Sequence, residues 1–438
     1  MTVKRSLLVE ADELPAAQDD KLASLHMSRL VIPAAPLAGF HGAASSAPPS
    51  TVSAILRMEG AGDASYVKYS SGQANINAEL RPMLATAIRT YTEFPSSGPI
   101  RVADLGCSVG ANALGFAECI SNAVLEKFKS LGLPAPEIQH FFSDLPSNDF
   151  NLLFSLMPHL KSGEDDWGNL DNCREMDTTR SYYAAAVPGS FYDRLFPRES
   201  LHVVMSTWSM HWLSHIPTSV TDKSSPAYNK GKVWINEGSP AVAEEYSKVS
   251  KENLKAFFVN RGVEMVSGGL LFVMLMSRKD PCRKEIQFGQ PLGLGSPICG
   301  MFELAWNDLV DEGVVDEDTR DSFNMPIYCP SADEITEAID ESSAFRVEKL
   351  EIWEDIDFLP RATAVQLATN PERWGAMAMN MSKTMMLTLV EAHVGPEVAA
   401  KLWDRLQKQV TAHCRRTKTV FCANSPGCNI ALAFLVKK

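Results

Sequence analysis

From residue 100 onward, short apolar runs alternate with longer stretches in which apolar positions recur at helical spacing. Residues 100–104 are a short apolar run that stops at a glycine turn, and a helical pattern follows over 112–128. A second run covers 137–144 ahead of a helix-like 150–156, and a third covers 201–205. A long helical pattern occupies 240–261. Residues 268–276 are then apolar almost without interruption, as in a central parallel strand buried on both faces. Late strand patterns fall at 345–352 and 430–436. This alternation predicts an α/β fold built on a doubly wound, mostly parallel sheet, a Rossmann-like core. Two segments do not fit the sheet: 299–311 and 371–392 read as helices. With their flanks, about 285–330 and 360–395, they are expected to cap the carboxyl edge of the sheet, where α/β proteins bind ligands. Met377, Met381 and Met385 share one helix face, a spacing usual for core, although flexible thioethers also suit the wall of an apolar ligand pocket. Residues 1–57 show no sustained period and end in a stretch rich in Pro, Ser and Ala. They are expected to be a largely disordered extension, which leaves 58–438 as the folded domain.

The bulk numbers narrow the function. The chain of 438 residues carries a net charge of −12, and 21% of its residues are charged. A surface that neutralises nucleic-acid phosphates needs clustered Lys and Arg, so nucleic acid is not the expected partner. Nine cysteines form neither a C-x-x-C pair nor a zinc-spaced cluster with His, the usage of reduced thiols. No apolar run reaches the roughly 18–20 residues that span a bilayer. The first twenty residues include Glu10, Asp12, Glu13, Asp19 and Asp20, which fits neither a transit peptide nor a signal peptide. The expected compartment is the cytoplasm.

The main chemical signal lies at the first strand-to-helix junction. Asp104, Gly106 and Gly110 give the spacing D-x-G-x-x-x-G, and the dinucleotide fingerprint G-x-G-x-x-G is absent. Glycines at such a junction let the backbone approach a ligand closely. Asp144 ends the second strand, where an acid can accept hydrogen bonds from ribose hydroxyls; an ordinary helix N-cap is its plainer role. The glycine loop and the acid together favour a nucleoside cofactor.

Several uncommon strings occur in order along the chain. They are Ala64-Ser65-Tyr66 with Ser70 and Gln73, residues 104–110 with Asn112, Ser-Asp-Leu-Pro-Ser-Asn-Asp-Phe-Asn at 143–151, Gly-Ser-Phe-Tyr at 189–192, Ser-Met-His-Trp-Leu-Ser at 209–214, and Asn-Lys-Gly-Lys at 229–232. In these the chain resembles the plant SABATH methyltransferases, which include carboxyl methyltransferases of small acids and N-methyltransferases of xanthines. The resemblance runs from about Met58 to the C-terminus. It implies a Rossmann-like methyltransferase core with a helical cap, S-adenosylmethionine as cofactor and a homodimer. It places Tyr66, Ser70, Asp104, Gly106, Asn112, Asp144, Leu145, Ser190 and Phe191 around the cofactor. It also places Gln73 and Trp212 on the acceptor carboxylate, with His211 and Trp208 in the pocket. Some members bind a magnesium-like ion, and the matching positions here are Asn229, Asp321, Phe323 and Asn324.

The acceptor chemistry follows from these residue types. A Gln amide and an indole N–H donate hydrogen bonds without carrying charge, so they orient a carboxylate without quenching its nucleophilicity. A carboxylic acid is already ionised at pH 7, so methyl transfer to it needs alignment and exclusion of water, with no general base. The expected function is therefore an S-adenosylmethionine-dependent carboxyl O-methyltransferase for a small aromatic acid of the benzoate, salicylate, cinnamate or coumarate kind. Two alternatives stand beside it. In one, His211 acts as base on a phenol or ring nitrogen; in the other, the protein only binds a carboxylate. Trp208 stands where salicylate-type members have tyrosine and Cys299 where an aromatic flanks the substrate ring, which counts against salicylate itself.

Overall fold

The computed structural model describes residues 52–58, 65–160, 179–287, 297–420 and 429–438. Three helices precede the sheet: α1 (Val52–Ile55), α2 (Tyr66–Tyr69) and α3 (Ser71–Tyr91). Then come β1 (Ile100–Leu105), α4 (Ala111–Ser130), β2 (Ile138–Asp144), α5 (Phe150–Ser155), β3 (His159–Leu160), β4 (Thr179–Arg180), β5 (Tyr183–Pro188) and β6 (Leu201–Thr207). The second half holds α6 (Pro240–Glu264), β7 (Met265–Ser277), α7 (Pro297–Asp311), α8 (Glu317–Ser322), α9 (Ala332–Ser342), β8 (Phe345–Trp353), α10 (Arg361–Ala368), α11 (Pro371–Thr417) and β9 (Asn429–Lys437).

Seven strands form one sheet in the order β5-β2-β1-β6-β7-β9-β8, and β3 pairs with β4 apart from it. The pairings from β5 to β7 are all parallel, and β9 runs antiparallel between β7 and β8. The strand order reverses between β1 and β6, the switch point at which doubly wound sheets open a crevice beyond their carboxyl ends. Residues 270–275 of β7 are fully buried, as their apolar run predicts. Two apolar clusters cover the faces of the sheet. The helices start where their sequences direct. Ser239 caps α6 ahead of Pro240, and Ser331 with Glu334 forms a capping box on α9. α11 bends at Gly395, whose φ of 75° leaves the helical region, and the second half restarts at Pro396.

A third apolar cluster joins α7, α10 and α11 around Phe302, Trp306, Trp374 and Trp403. It is the helical cap, and it takes in Val52 and Leu56, 5% and 7% exposed. The end of the expected extension therefore folds onto the cap, and the folded part begins no later than Val52. Two apolar side chains suffice for this, too few for a periodic signal. The rest of the expected extension, 1–51, lies outside the described residues, as do 288–296 of the first cap segment. Among the described residues no helix is long and apolar enough to cross a membrane.

Candidate active site

The loop after β1 is shaped by three residues with positive φ: Gly106 (81°), Ser108 (52°) and Gly110 (102°). Gly106 N–H and Cys107 N–H donate to the carbonyl of Ser143 at 2.8 and 3.1 Å, which ties the end of β1 to the end of β2. A Cβ at position 106 would lie 2.2 Å from Ser209 Oγ, so only glycine lets the β1 and β6 loops meet there. Asp144 accepts from Ser108 N–H at 2.7 Å and from Leu145 N–H at 2.8 Å. Each bond uses one lone pair, so the carboxylate can still accept from further hydroxyls.

The acids beside this loop are short of positive charge. Burial pushes the Asp104 carboxyl up to about 8, and the neighbouring Asp144 adds to the shift. Asp144 is also raised by burial, against the pull of its two backbone donors. Burial lifts the Tyr66 phenol to about 12, while its hydrogen bond with Asn112 works the other way. Such a pocket is electrostatically completed by a cation, which the ammonium and sulfonium of S-adenosylmethionine would supply. The donors and acceptors present fit that cofactor.

Ten of the expected site residues line one cavity of about 280 Å³. Tyr66, Gly106, Asp144, Leu145, Ser190 and Phe191, the residues expected at the cofactor, share it with Gln73, Trp208, His211 and Trp212, those expected at the acceptor. Ser70, Asp104 and Asn112 are not among the lining residues. Ser70 N–H donates to the Tyr66 carbonyl at 3.0 Å, and the other two act on the Tyr66 ring. Cys299, Met381 and Met385 reach the cavity, whereas Met377 packs into the cap cluster, so the methionine stripe is part pocket and part core.

The acceptor side is apolar with a few unpaired polar atoms. Gln73 Oε1 and His211 Nδ1 are buried without a hydrogen-bond partner among the described residues. Burial drops the His211 imidazole to about 3, so it is neutral at any physiological pH. Trp208 holds φ of 58°, unusual for a bulky residue and a form of strain that collects at binding sites.

Sequence reasoning missed two groups. Val52, Leu56 and Met58 from the N-terminal segment, with Met276, Ile298, Ile356 and Phe358, complete the wall. No local pattern marks them, because the tertiary fold alone brings them together. The other group is a buried ion pair, Arg261 with Glu264, whose side chains are 0% exposed and 2.7 Å apart. Arg261 donates to the Phe191 and Asp193 carbonyls at 2.7 and 2.9 Å, and Glu264 accepts from Leu195 and Phe196 N–H at 2.6 and 3.0 Å. The pair thus holds the loop that presents Ser190 and Phe191.

The residues expected to hold magnesium do come together, but they bond to one another. Asp321 accepts from Tyr228 Oη at 2.8 Å, Gly231 N–H at 3.0 Å and Arg320 Nε at 2.9 Å. Asn229 Nδ2 donates to Asn324 Oδ1 at 2.7 Å, and Asn324 Nδ2 to the Asp321 carbonyl at 3.2 Å. Phe323 contributes its ring to the cap cluster. Among the described residues no group of three or more His, Cys, Asp or Glu side chains could hold a metal ion. With its carboxylate occupied and a guanidinium against it, this cluster pins the 228–234 loop to the segment after α8 and does not fit a divalent cation.

The fold and this site define a methyltransferase, and comparison with known proteins gives the kind. The profile of SAM dependent carboxyl methyltransferases matches residues 52–425. Indole-3-acetate O-methyltransferase 1 of Oryza sativa subsp. japonica is 38% identical, with 83% of this chain and 89% of that protein covered. Gibberellic acid methyltransferase 2 of Arabidopsis thaliana is 34% identical, with 82% and 90% covered. Among solved structures, loganic acid methyltransferase with SAH superposes with a TM-score of 0.70 at 26% identity, over 87% of this chain and 98% of that one. The chain belongs to the S-adenosylmethionine-dependent carboxyl methyltransferases, the SABATH family that its motifs resemble.

Proposed function

We propose that the protein methylates the carboxylate of a small, largely aromatic acid, giving the methyl ester. The observation that carries this reading is the pairing of two uncharged side chains, Gln73 and Trp212, in an apolar cavity shared with the cofactor residues. When bound, S-adenosylmethionine supplies the activated methyl group. The chain's own residues hold and align the acceptor: the Gln73 amide, whose oxygen has no partner among the described residues and whose amino group donates, and the Trp212 indole N–H would steady a carboxylate without neutralising it. Trp208, Phe358, Ile298 and the Met381–Met385 face exclude water around it. An N-methyl or phenol acceptor would call for a base. Burial disfavours the charged form of His211, which counts against that role. The indole-3-acetate and gibberellic acid relatives support an acceptor with a carboxylate and an apolar body.

The direct test is transfer of a labelled methyl group to a panel of acids: benzoate, cinnamate, 4-coumarate, indole-3-acetate, jasmonate and gibberellic acid, with a xanthine as control. Base-labile product from an aromatic acid is the expected result. Label on the xanthine alone would overturn the carboxylate reading. Label only on gibberellic acid or jasmonate would keep the ester chemistry and remove the aromatic preference.

Asp104 gives the reading a pH signature. Burial and the neighbouring Asp144 push its carboxyl up to about 8, and a cofactor ammonium beside it would favour the ionised form. Below that pH, binding must release the Asp104 proton, so affinity should rise with pH, by up to about tenfold per unit. The amino-acid ammonium of S-adenosylhomocysteine stays charged through this range, so the rise should level off above about 8, once Asp104 is ionised in the free protein. Calorimetric titration with S-adenosylhomocysteine from pH 6 to 8.5 should therefore show affinity rising with pH and flattening near 8. Asp104→Asn should lose the rising limb. An affinity in the wild-type chain that does not change with pH would remove Asp104 from the ammonium.

A further inference from the structure

Gln73 is not the only polar residue of α3 linked to the acceptor side. Asn77 follows it by four positions, one turn along the same helix face. It is 2% exposed, and its Oδ1 accepts a hydrogen bond of 3.0 Å from the indole Nε1 of Trp208. Trp208 opens the loop that carries His211 and Trp212, and its φ of 58° is a conformation that persists only where the surroundings over-determine it. Three contacts do so. Its backbone N–H donates to the Met274 carbonyl at 3.1 Å, its indole N–H is taken by Asn77, and its ring lies against Phe358 with centroids 5.4 Å apart. Phe358 in turn sits on α3 at Gly72, where an added Cβ would come within 3.0 Å of Phe358 Cβ. Positions 72, 73 and 77 of one helix thus set the aromatic wall, the amide that faces the cavity, and the tilt of the loop bearing Trp212.

We infer that Asn77 is a positioning residue for acceptor recognition, acting through the Trp208 indole. The bond has two effects. It ties the Trp212 loop to the helix that carries Gln73, so the two carboxylate donors share one frame. It also occupies the indole N–H, so Trp208 turns ring and not donor toward the acceptor, and the chamber keeps its polar contacts for the carboxylate end. The inference rests on the carboxylate reading only for what the donors hold; the coupling of Asn77 to Trp208 exists for any acceptor.

A double-mutant cycle tests it. Asn77→Leu keeps the volume and removes the acceptor atom, and Trp208→Phe removes the indole N–H. Each single variant should raise the acceptor KM by about tenfold. The affinity for S-adenosylhomocysteine should stay within about twofold, which also reports that the chain has folded. The decisive reading is the double variant, which should be no worse than Trp208→Phe alone, because groups acting through one contact are not additive. Multiplying effects, or an Asn77→Leu enzyme with wild-type KM, would overturn the inference. Should Asn77→Leu fail to bind S-adenosylhomocysteine, Asn77→Ala takes its place in the cycle under the same criteria. The acceptor is whichever compound of the panel the wild-type chain methylates. If none is methylated, acceptor Kd in the presence of S-adenosylhomocysteine is read for indole-3-acetate. A xanthine as acceptor would then defeat the carboxylate reading while leaving the coupling to be measured.

Discussion

Arg261→Leu is expected to lower the stability of the folded chain by about 3–5 kcal/mol. The reason is the isolation of Glu264. Both side chains of the pair are fully buried, and burial already disfavours the charged Arg261, which its partner carboxylate offsets. Removing the guanidinium leaves the buried Glu264 carboxyl without its counter-charge and strips the Phe191 and Asp193 carbonyls of their donors. Arg261→Lys should cost less, because it keeps the charge, yet it cannot reproduce the planar fork that reaches three acceptors. The midpoint of urea unfolding measures both, and affinity for S-adenosylhomocysteine should fall alongside because the Phe191 loop loses its anchor. An unchanged midpoint for Arg261→Leu would mean that the loop stands without the pair.

The second large effect is on catalysis. Gln73→Ala and Trp212→Phe should each reduce kcat/KM for the acid by about 10- to 150-fold, the range for one hydrogen bond to a charged group worth about 1.5–3 kcal/mol. Phe is the suitable replacement at 212. It retains the ring and the backbone contacts, among them the carbonyl that accepts from Tyr192 Oη at 2.7 Å and the bridge to Ile327. Neither change should move the affinity for S-adenosylhomocysteine by more than about twofold. Steady-state kinetics with calorimetry on the same preparations separates the two quantities. If both variants keep full activity on the acid, the carboxylate is held elsewhere.

The core of the fold was legible where burial is two-sided. The apolar run of β7 and the glycine-terminated β1 announce themselves because no other structure satisfies them. Strand β5 does not: Tyr-Ala-Ala-Ala-Val-Pro lies at a sheet edge, partly exposed, and alanines carry little strand preference. Helix α3 was silent for another reason, since Pro82 stands inside it and masks the pattern. In the site, Asp104, Asp144 and Gln73 are found by motif because their chemistry is fixed to the ends of strands and the start of one helix. Arg261 and Glu264 read in sequence like any exposed i,i+3 pair, and only the fold reveals that solvent never reaches them. The wall from Val52, Leu56 and Ile298 is likewise assembled from segments far apart in the chain, so no local window could contain it.

That division of the cavity has a consequence for acceptor choice. The residues expected at the cofactor lie between 66 and 191, on helix α2 and on the ends and loops of the sheet strands, while Ile298, Cys299, Met381 and Met385 come from the cap helices. Substitutions in the cap can therefore reshape the acceptor chamber while the cofactor machinery stays intact. Under the proposed function, the cap positions are where a substitution would change the acid accepted with the least effect on the cofactor residues.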